Sequence, residues 1–445
     1  MKPLHLLARA AAVAVVTAGL SHGSFAASGS GGLVGGAGGG GGGPDPELAG
    51  EVLVKLRSTA ALQPLLARQS LMLVSRFGAR PIYRLKVVGA TQVKDVLTKL
   101  ALEPDVMIAE ANPTNRSPEA RRNIAWAIGD LSTYMAQWAP QAVRMQQAQG
   151  LALGAGVRVA VLDTGVDATH PALAGRLLPG RDFVDGDTDP SEVLSATVGA
   201  YGHGTHVAGL VAMVAPAASI MPLRVLDADG VGNAWVLAEA ILHAVDPDGN
   251  PATDDGAHVI NLSLGSLART RIMATIAQIA SCQPAELNDP IGDRSDPGYS
   301  DDETRCANSS GALLVAAAGN DASSSIKEYP AAEGVYGLLS VAATTSSARL
   351  AGFSNSGNWV DLAAPGEGIT SAIPGGWATW SGTSMASPLV AGTAALVRSL
   401  GLQLSPRDVA RRIKRTAAPL CGVKLRLVDA YAAVANIAPP ADTCQ

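Results

Sequence analysis

Aromatic residues are scarce in this chain: Phe, Tyr and Trp together make up 4% of its 445 residues. That excludes a core built around large rings. With 47% of residues apolar, the interior is expected to be assembled from Ala, Val, Leu and Ile, as in a tightly packed helix–sheet sandwich. Charged residues are also few, at 16%, and the apolar content argues against general disorder. Positive charge is not in excess. The formal net charge is −5, whereas a nucleic-acid or anionic-membrane binder needs a basic face. Past the N-terminal region no segment approaches ~18 uninterrupted apolar residues, so the processed protein is expected to be soluble and to lack a membrane span. Cysteine is limited to Cys282, Cys306, Cys421 and Cys444, with no C-x-x-C pair or neighbouring His to suggest a metal site. Four cysteines permit three pairings. Local pairing, Cys282–Cys306 and Cys421–Cys444, is expected because each pair brackets a Pro-rich, polar stretch.

What is present divides the chain into segments. Residues 1–27 read as a secretion signal, with Lys2 and Arg9 ahead of the apolar stretch Ala10–Leu20 and a small-x-small site at Ser24-Phe25-Ala26. Export to the medium or to a periplasm is the implied destination, and it suits disulfides. Residues 28–45 are mostly glycine and form a linker. Residues 46–115 carry strand patterns at Glu51–Leu56, Ile82–Val88 and Val106–Ala111. Helical patterns at Ala60–Arg76 and Thr91–Leu102 complete a small α+β, ferredoxin-like βαββαβ unit. Residues 116–136 show little pattern and read as a junction.

Residues 137–445 form the main domain. Short, wholly apolar runs at Val157–Leu162, Ile220–Leu226, Val259–Leu264, Ala312–Ala318 and Leu338–Ala343 fit parallel strands buried on both faces. Helical stretches lie between them, notably His203–Val214 and Asn233–Val245. The expected fold is therefore α/β, a doubly wound and mostly parallel sheet flanked by helices, in which active groups gather at the carboxyl ends of strands.

Four side chains stand where such chemistry is expected. Asp163 ends the first buried run in VAVLDTGVD, although an Asp there can simply cap a turn. His203 lies in GHGTHVAGL between two glycines that permit close approach, at the start of an apolar helix. A metal shared with His206 and a pair of ordinary core histidines are the competing readings. Ser384, in SGTSMASP, precedes an apolar helix whose free N–H groups favour negative charge, although a serine there can also be a plain N-cap. Asn320 follows the run LLVAAAG and could donate a hydrogen bond into a crevice, or merely shape a turn with Asp321.

Together, DTGVD, GHGTHVAG and SGTSMASP, in that order, with AAAGN and VINLSLG, resemble the subtilisin-like serine peptidases over residues from about Gln137 to about Leu400. The resemblance implies an endopeptidase acting on protein substrates through Asp163, His203 and Ser384, with Asn320 in the oxyanion hole. Ser263, Leu264 and Gly265 would line the main specificity pocket and bind substrate as an added strand. Residues 46–115 would be an inhibitory propeptide removed by self-cleavage within 116–136, and the processed enzyme would be a monomer.

No cofactor is implied for the chemistry. Structural calcium could bind at Asp182–Asp187 or Asp246–Asp255, where carboxylates cluster. An insertion at Ser281–Ala307, rich in Asp, could border the cleft or be a surface loop. A catalytically inactive peptide-binding homologue, or an acid peptidase of the sedolisin type with a Glu base, are the alternatives. The intact set of Asp163, His203, Ser384 and Asn320 speaks against both.

Overall fold

The computed structural model describes residues 46–122, 127–194, 200–283 and 297–439. The signal, the glycine linker and Cys444 lie outside the described residues. All of these described parts fall in one compact unit.

The N-terminal module runs β1 (Glu47–Leu56), α1 (Leu62–Gln69), β2 (Leu71–Arg76), β3 (Ile82–Val87), α2 (Val93–Leu100) and β4 (Val106–Arg116). Its antiparallel sheet has the order β2-β3-β1-β4. The helix anticipated over Ala60–Arg76 is shorter. It stops at Gln69, where Ser70 takes a left-handed conformation (φ 51°), and Leu71–Arg76 becomes the edge strand. Leu-Met-Leu-Val is equally apolar in either state, so periodicity alone does not separate the two.

The two faces of β1 have different partners. Val52, Val54 and Leu56 point to α1 and α2, where they meet Leu65, Val96 and Leu100. Leu53 points the other way and joins Ile82, Ile108 and Phe77 in the core of the main domain. The period-two geometry of a strand thus glues the module to its neighbour.

The main sheet has nine strands. From one edge its order is Ala418–Pro419, Arg426–Leu427, Leu362–Pro365, Leu338–Thr344, Leu313–Ala317, Val259–Leu262, Arg158–Asp163, Ser219–Arg224 and Arg181–Asp182. All neighbours are parallel except the first pair. Alternation again assigns faces. Val159 and Val161 pack with helices His203–Val214 and Thr383–Arg398, whereas Ala160 and Leu162 pack with Ala234–Val245 and Arg271–Ala280. The chain reverses its direction of travel across the sheet between Arg158–Asp163 and Val259–Leu262, which opens a crevice at their carboxyl ends.

Cys282 and Cys306 form a disulfide, as expected, with Cα atoms 5.5 Å apart. Cys421 is also disulfide-bonded. The disulfide ties the base of the acidic insertion, whose Asp302 accepts a bond from Arg80 of the N-terminal module at 2.7 Å. The acidic turn Asp182–Asp187 is organised around a cation of the chain itself. Arg224 bonds both Asp182 and Asp185, so a calcium ion there would share those two carboxylates with a guanidinium.

Candidate active site

Asp163, His203, Ser384 and Asn320 meet in this crevice, drawn from the ends of two strands and the starts of two helices. Asp163 is the last residue of Arg158–Asp163 and His203 the first of its helix. His203 Nδ1–H donates to Asp163 Oδ1 at 2.6 Å, and Asp163 Oδ1 also accepts Thr164 N–H at 2.8 Å. The edge of Trp380 packs on the imidazole, with ring centres 5.3 Å apart. A half-buried carboxylate unforeseen in the sequence, Glu192, binds the Thr164 hydroxyl and the N–H groups of Gly202 and Thr205, so it clamps the strand end to the helix start.

Ser384 is the second residue of Thr383–Arg398, a helix buried along its whole length. Pro388 sits inside that helix and cannot offer an N–H to the Ser384 carbonyl. The Ser263 hydroxyl supplies the missing bond, donating to Ser384 O at 3.0 Å. Asn320 is oriented by Thr383, whose N–H and hydroxyl both reach Asn320 Oδ1 at 2.9 Å. The Asn320 amide N–H₂ therefore points into the crevice.

His206 stands apart. Its Nε2–H is shared between the carbonyls of Ile369 and Ala378 at 3.2 and 3.1 Å. Burial, then the neighbouring His203, pushes it down to about 3. It is a neutral core histidine that fastens the helix to the hairpin Ile369–Trp380, and no metal pair forms with His203.

A fifth group, Glu119, occupies the centre. Residues Thr114–Arg116 at the end of β4 pair antiparallel with Val231–Asn233. Arg116 exchanges both backbone bonds with Gly265, at 2.8 and 2.9 Å, and Ser117 N–H donates to Gly230 O at 3.2 Å. The segment is thus an added strand between two walls. It then turns into α3 (Pro118–Arg122), and Glu119 enters the crevice. Glu119 Oε2 accepts from Ser384 Oγ at 2.6 Å and from His203 Nε2 at 3.1 Å, while Oε1 accepts from Asn320 Nδ2 at 2.8 Å. Burial opposes the charged form of Glu119, but its bonds to His203, Ser384 and Asn320 outweigh that and lower its pKa. Burial likewise opposes protonation of His203, yet Asp163 and Glu119 together push it up to about 10. Ser117-Pro118-Glu119 does carry a helix-start pattern, N-cap then Pro, but nothing local says where that helix points.

Two residues on, Arg121 meets Glu328, a fully buried carboxylate, at 3.0 Å. A Cβ on Gly265 would lie 2.4 Å from Glu328 Cγ, so only glycine lets substrate-strand wall and carboxylate approach so closely. Leu264, expected to line the pocket, is buried in the core. Ser263 contributes its hydroxyl to the serine helix, and Gly265 contributes its backbone to the added strand.

Residues 154–436 match the subtilase family. The chain belongs to that family. It is 36% identical over 377 residues to the thermophilic serine proteinase of Bacillus sp. (strain AK1), covering 79% of this chain and 82% of that protein. Over 297 residues it is 36% identical to thermitase of Thermoactinomyces vulgaris, covering 64% of this chain and 90% of thermitase. The crystal structure of fervidolysin from Fervidobacterium pennivorans superposes with a TM-score of 0.66 at 24% identity, over 89% of this chain and 62% of fervidolysin, and so shares the fold. This subtilase is a subtilisin-like serine endopeptidase, a hydrolase of peptide bonds. No described helix of the subtilase is long and apolar enough to cross a membrane. Asp246, Asp248 and Asp255 bring carboxylate oxygens within 4.8 Å of one another, an all-oxygen donor set of the kind calcium takes. They lie beyond the far end of Ala234–Val245, a helix of 12 residues that starts at the crevice, and so are remote from the reacting groups.

Proposed function

We propose that this subtilase is an exported endopeptidase in which Ser384 is the nucleophile, His203 the general base and acid, Asp163 its orienting carboxylate and Asn320 an oxyanion donor. We further read residues 46–115 as an inhibitory propeptide and 116–136 as the stretch in which it is severed. The observation that carries this is the convergence on one carboxylate: Ser384 Oγ and His203 Nε2 both bond Glu119 Oε2, and Asn320 Nδ2 bonds Oε1. A peptide carbonyl put in place of that carboxylate meets nucleophile, base and oxyanion donor together.

The reaction follows from this placement. Ser384 Oγ attacks the carbonyl carbon while its proton passes to His203 Nε2. The Asp163 bond at Nδ1 fixes the tautomer that leaves Nε2 free to accept, and it stabilises the imidazolium that forms. The carbonyl oxygen becomes an oxyanion held by Asn320 Nδ2–H and the N-terminus of the serine helix. Collapse breaks the C–N bond, and the leaving nitrogen takes the proton from His203. Water, deprotonated by His203, then attacks the acyl-serine ester, and Ser384 leaves with that proton, releasing the second product as a carboxylic acid. Substrate backbone is held as Arg116 is held now, by paired bonds to Gly265 and by the Gly230–Asn233 wall.

A Glu beside the serine also evokes the acid peptidases. Glu119, however, belongs to a segment ahead of residues 154–436, and His203 already occupies the position of the base. The test is hydrolysis of an unfolded protein by the processed enzyme. Ser384→Ala and His203→Ala should each lower the rate by ~10³-fold or more, and either variant turning over at the normal rate defeats the assignment.

A further inference from the structure

Resting on the reading of residues 46–115 as an inhibitor, we propose that inhibition is applied by side chains and not by a bound peptide bond: Glu119 is a carboxylate latch filling the place of the reacting carbonyl, and Arg121, on Glu328, is its second anchor. The chain enters the cleft as a substrate would through Ser117. Pro118 then has no N–H with which to continue the strand pairing, the Ser117 hydroxyl accepts Ala120 N–H at 3.2 Å, and the backbone leaves as a helix. Among the described residues, no peptide carbonyl of the entering segment is bonded by Asn320 or by Ser384 Oγ, whose other acceptor is the Ser263 carbonyl of the enzyme's own wall at 3.2 Å. The carboxylate takes both partners, and Glu119 is 1% exposed.

The fit depends on Gly382. A Cβ there would stand 1.7 Å from Glu119 Oε1, so the carboxylate lies against a bare α-carbon. Arg121 Nη2 also donates to Gly265 O at 3.2 Å, the carbonyl that Arg116 N–H uses, which locks helix and strand to the same wall. Two chemical steps are blocked at once. The serine hydroxyl is committed as a donor to an anion, and His203, between two carboxylates, is held as an imidazolium that cannot take the serine proton. Self-cleavage therefore requires Glu119 to withdraw first.

The test uses intact full-length precursor and a fluorescent fluorophosphonate at near-neutral pH, with the uncleaved band read by itself on a denaturing gel. Wild-type precursor should label ~100-fold or more slowly than processed enzyme, since several charge-assisted bonds must break to free Ser384. Glu119→Ala precursor should label within ~10-fold of processed enzyme. Glu119→Gln keeps the side chain's size but loses the charge, and should label at least ~10-fold faster than wild type while melting cooperatively. Either variant precursor labelling as slowly as wild type overturns the latch and leaves occlusion by the module as the inhibitor. Processed enzyme that does not label overturns the functional reading itself, whatever the precursors do.

Discussion

Replacing Asp163 by Asn isolates the role of one carboxylate without changing its shape. Asp163 Oδ1 accepts both His203 Nδ1–H and Thr164 N–H, while Oδ2 is buried with no hydrogen-bond partner. An asparagine amide cannot satisfy this arrangement. With its N–H₂ toward the imidazole it forces the proton onto Nε2, so His203 cannot accept from Ser384. In the other orientation a donor is buried where Oδ2 finds no partner, and the imidazolium still loses its counter-charge. A wrong tautomer of this kind costs ~10⁴ in kcat, or ~5.5 kcal/mol of barrier. The assay is kcat and KM on a chromogenic peptide, with variant precursor processed by tagged wild-type enzyme that is then removed. KM should hardly move, because Asp163 lies behind His203 and does not face the added strand. A kcat within tenfold of wild type would refute the proposed coupling between Asp163, His203 and Ser384.

Other expectations concern the precursor and the pocket. Phe77 is 3% exposed and stacks on Trp235 with ring centres 3.8 Å apart. Phe77→Ala should weaken the hold of the cleaved module by ~30-fold or more, as loss of a buried aromatic anchor does, read as module lost from the enzyme on gel filtration. Inhibition should also depend on pH. The lowered pKa of Glu119 gives stabilisation that is complete above its free value, near 4.5, and is lost as pH falls through the lowered one. The raised pKa of His203 gives stabilisation complete below 6.5 and lost as pH rises toward about 10. The other ionisable groups packed on His203 are Asp163, bonded to its Nδ1, and His206, neutral in this range. Precursor labelling should thus be slow at and below 6.5, where His203 is protonated and cannot take the serine proton, and should accelerate as pH rises toward about 10; labelling that slows from 6.5 to 9 would contradict this. Finally, Glu328 should favour Arg over Glu ahead of the cut by ~10-fold or more in kcat/KM, and Glu328→Gln should narrow that ratio.

Much of the main domain is legible in the sequence because its strands are buried on both faces and read as unbroken apolar runs. Asp163, His203, Ser384 and Asn320 are legible for a related reason: each ends a strand or starts a helix next to glycines. The rest depends on tertiary placement. The stretch at Leu71–Arg76 is apolar enough for either state, and only pairing with β3 makes it a strand. Glu119, Arg121 and Glu192 look like ordinary surface charges, and Glu328 is no different. What gives them meaning is the partner each one meets, and those partners lie between 10 and 265 residues away in the chain. The Asp182–Asp187 cluster is a further case, since acidic spacing suggests a cation without revealing that Arg224 bonds two of its carboxylates.

The most direct measurement is to treat processed enzyme with a fluorophosphonate and locate the adduct by peptide mass spectrometry. The adduct is expected on Ser384 alone, lost in Ser384→Ala and strongly slowed in His203→Ala. Modification at another residue, or undiminished reaction without the imidazole, would contradict the assignment of Ser384 and His203 as nucleophile and base.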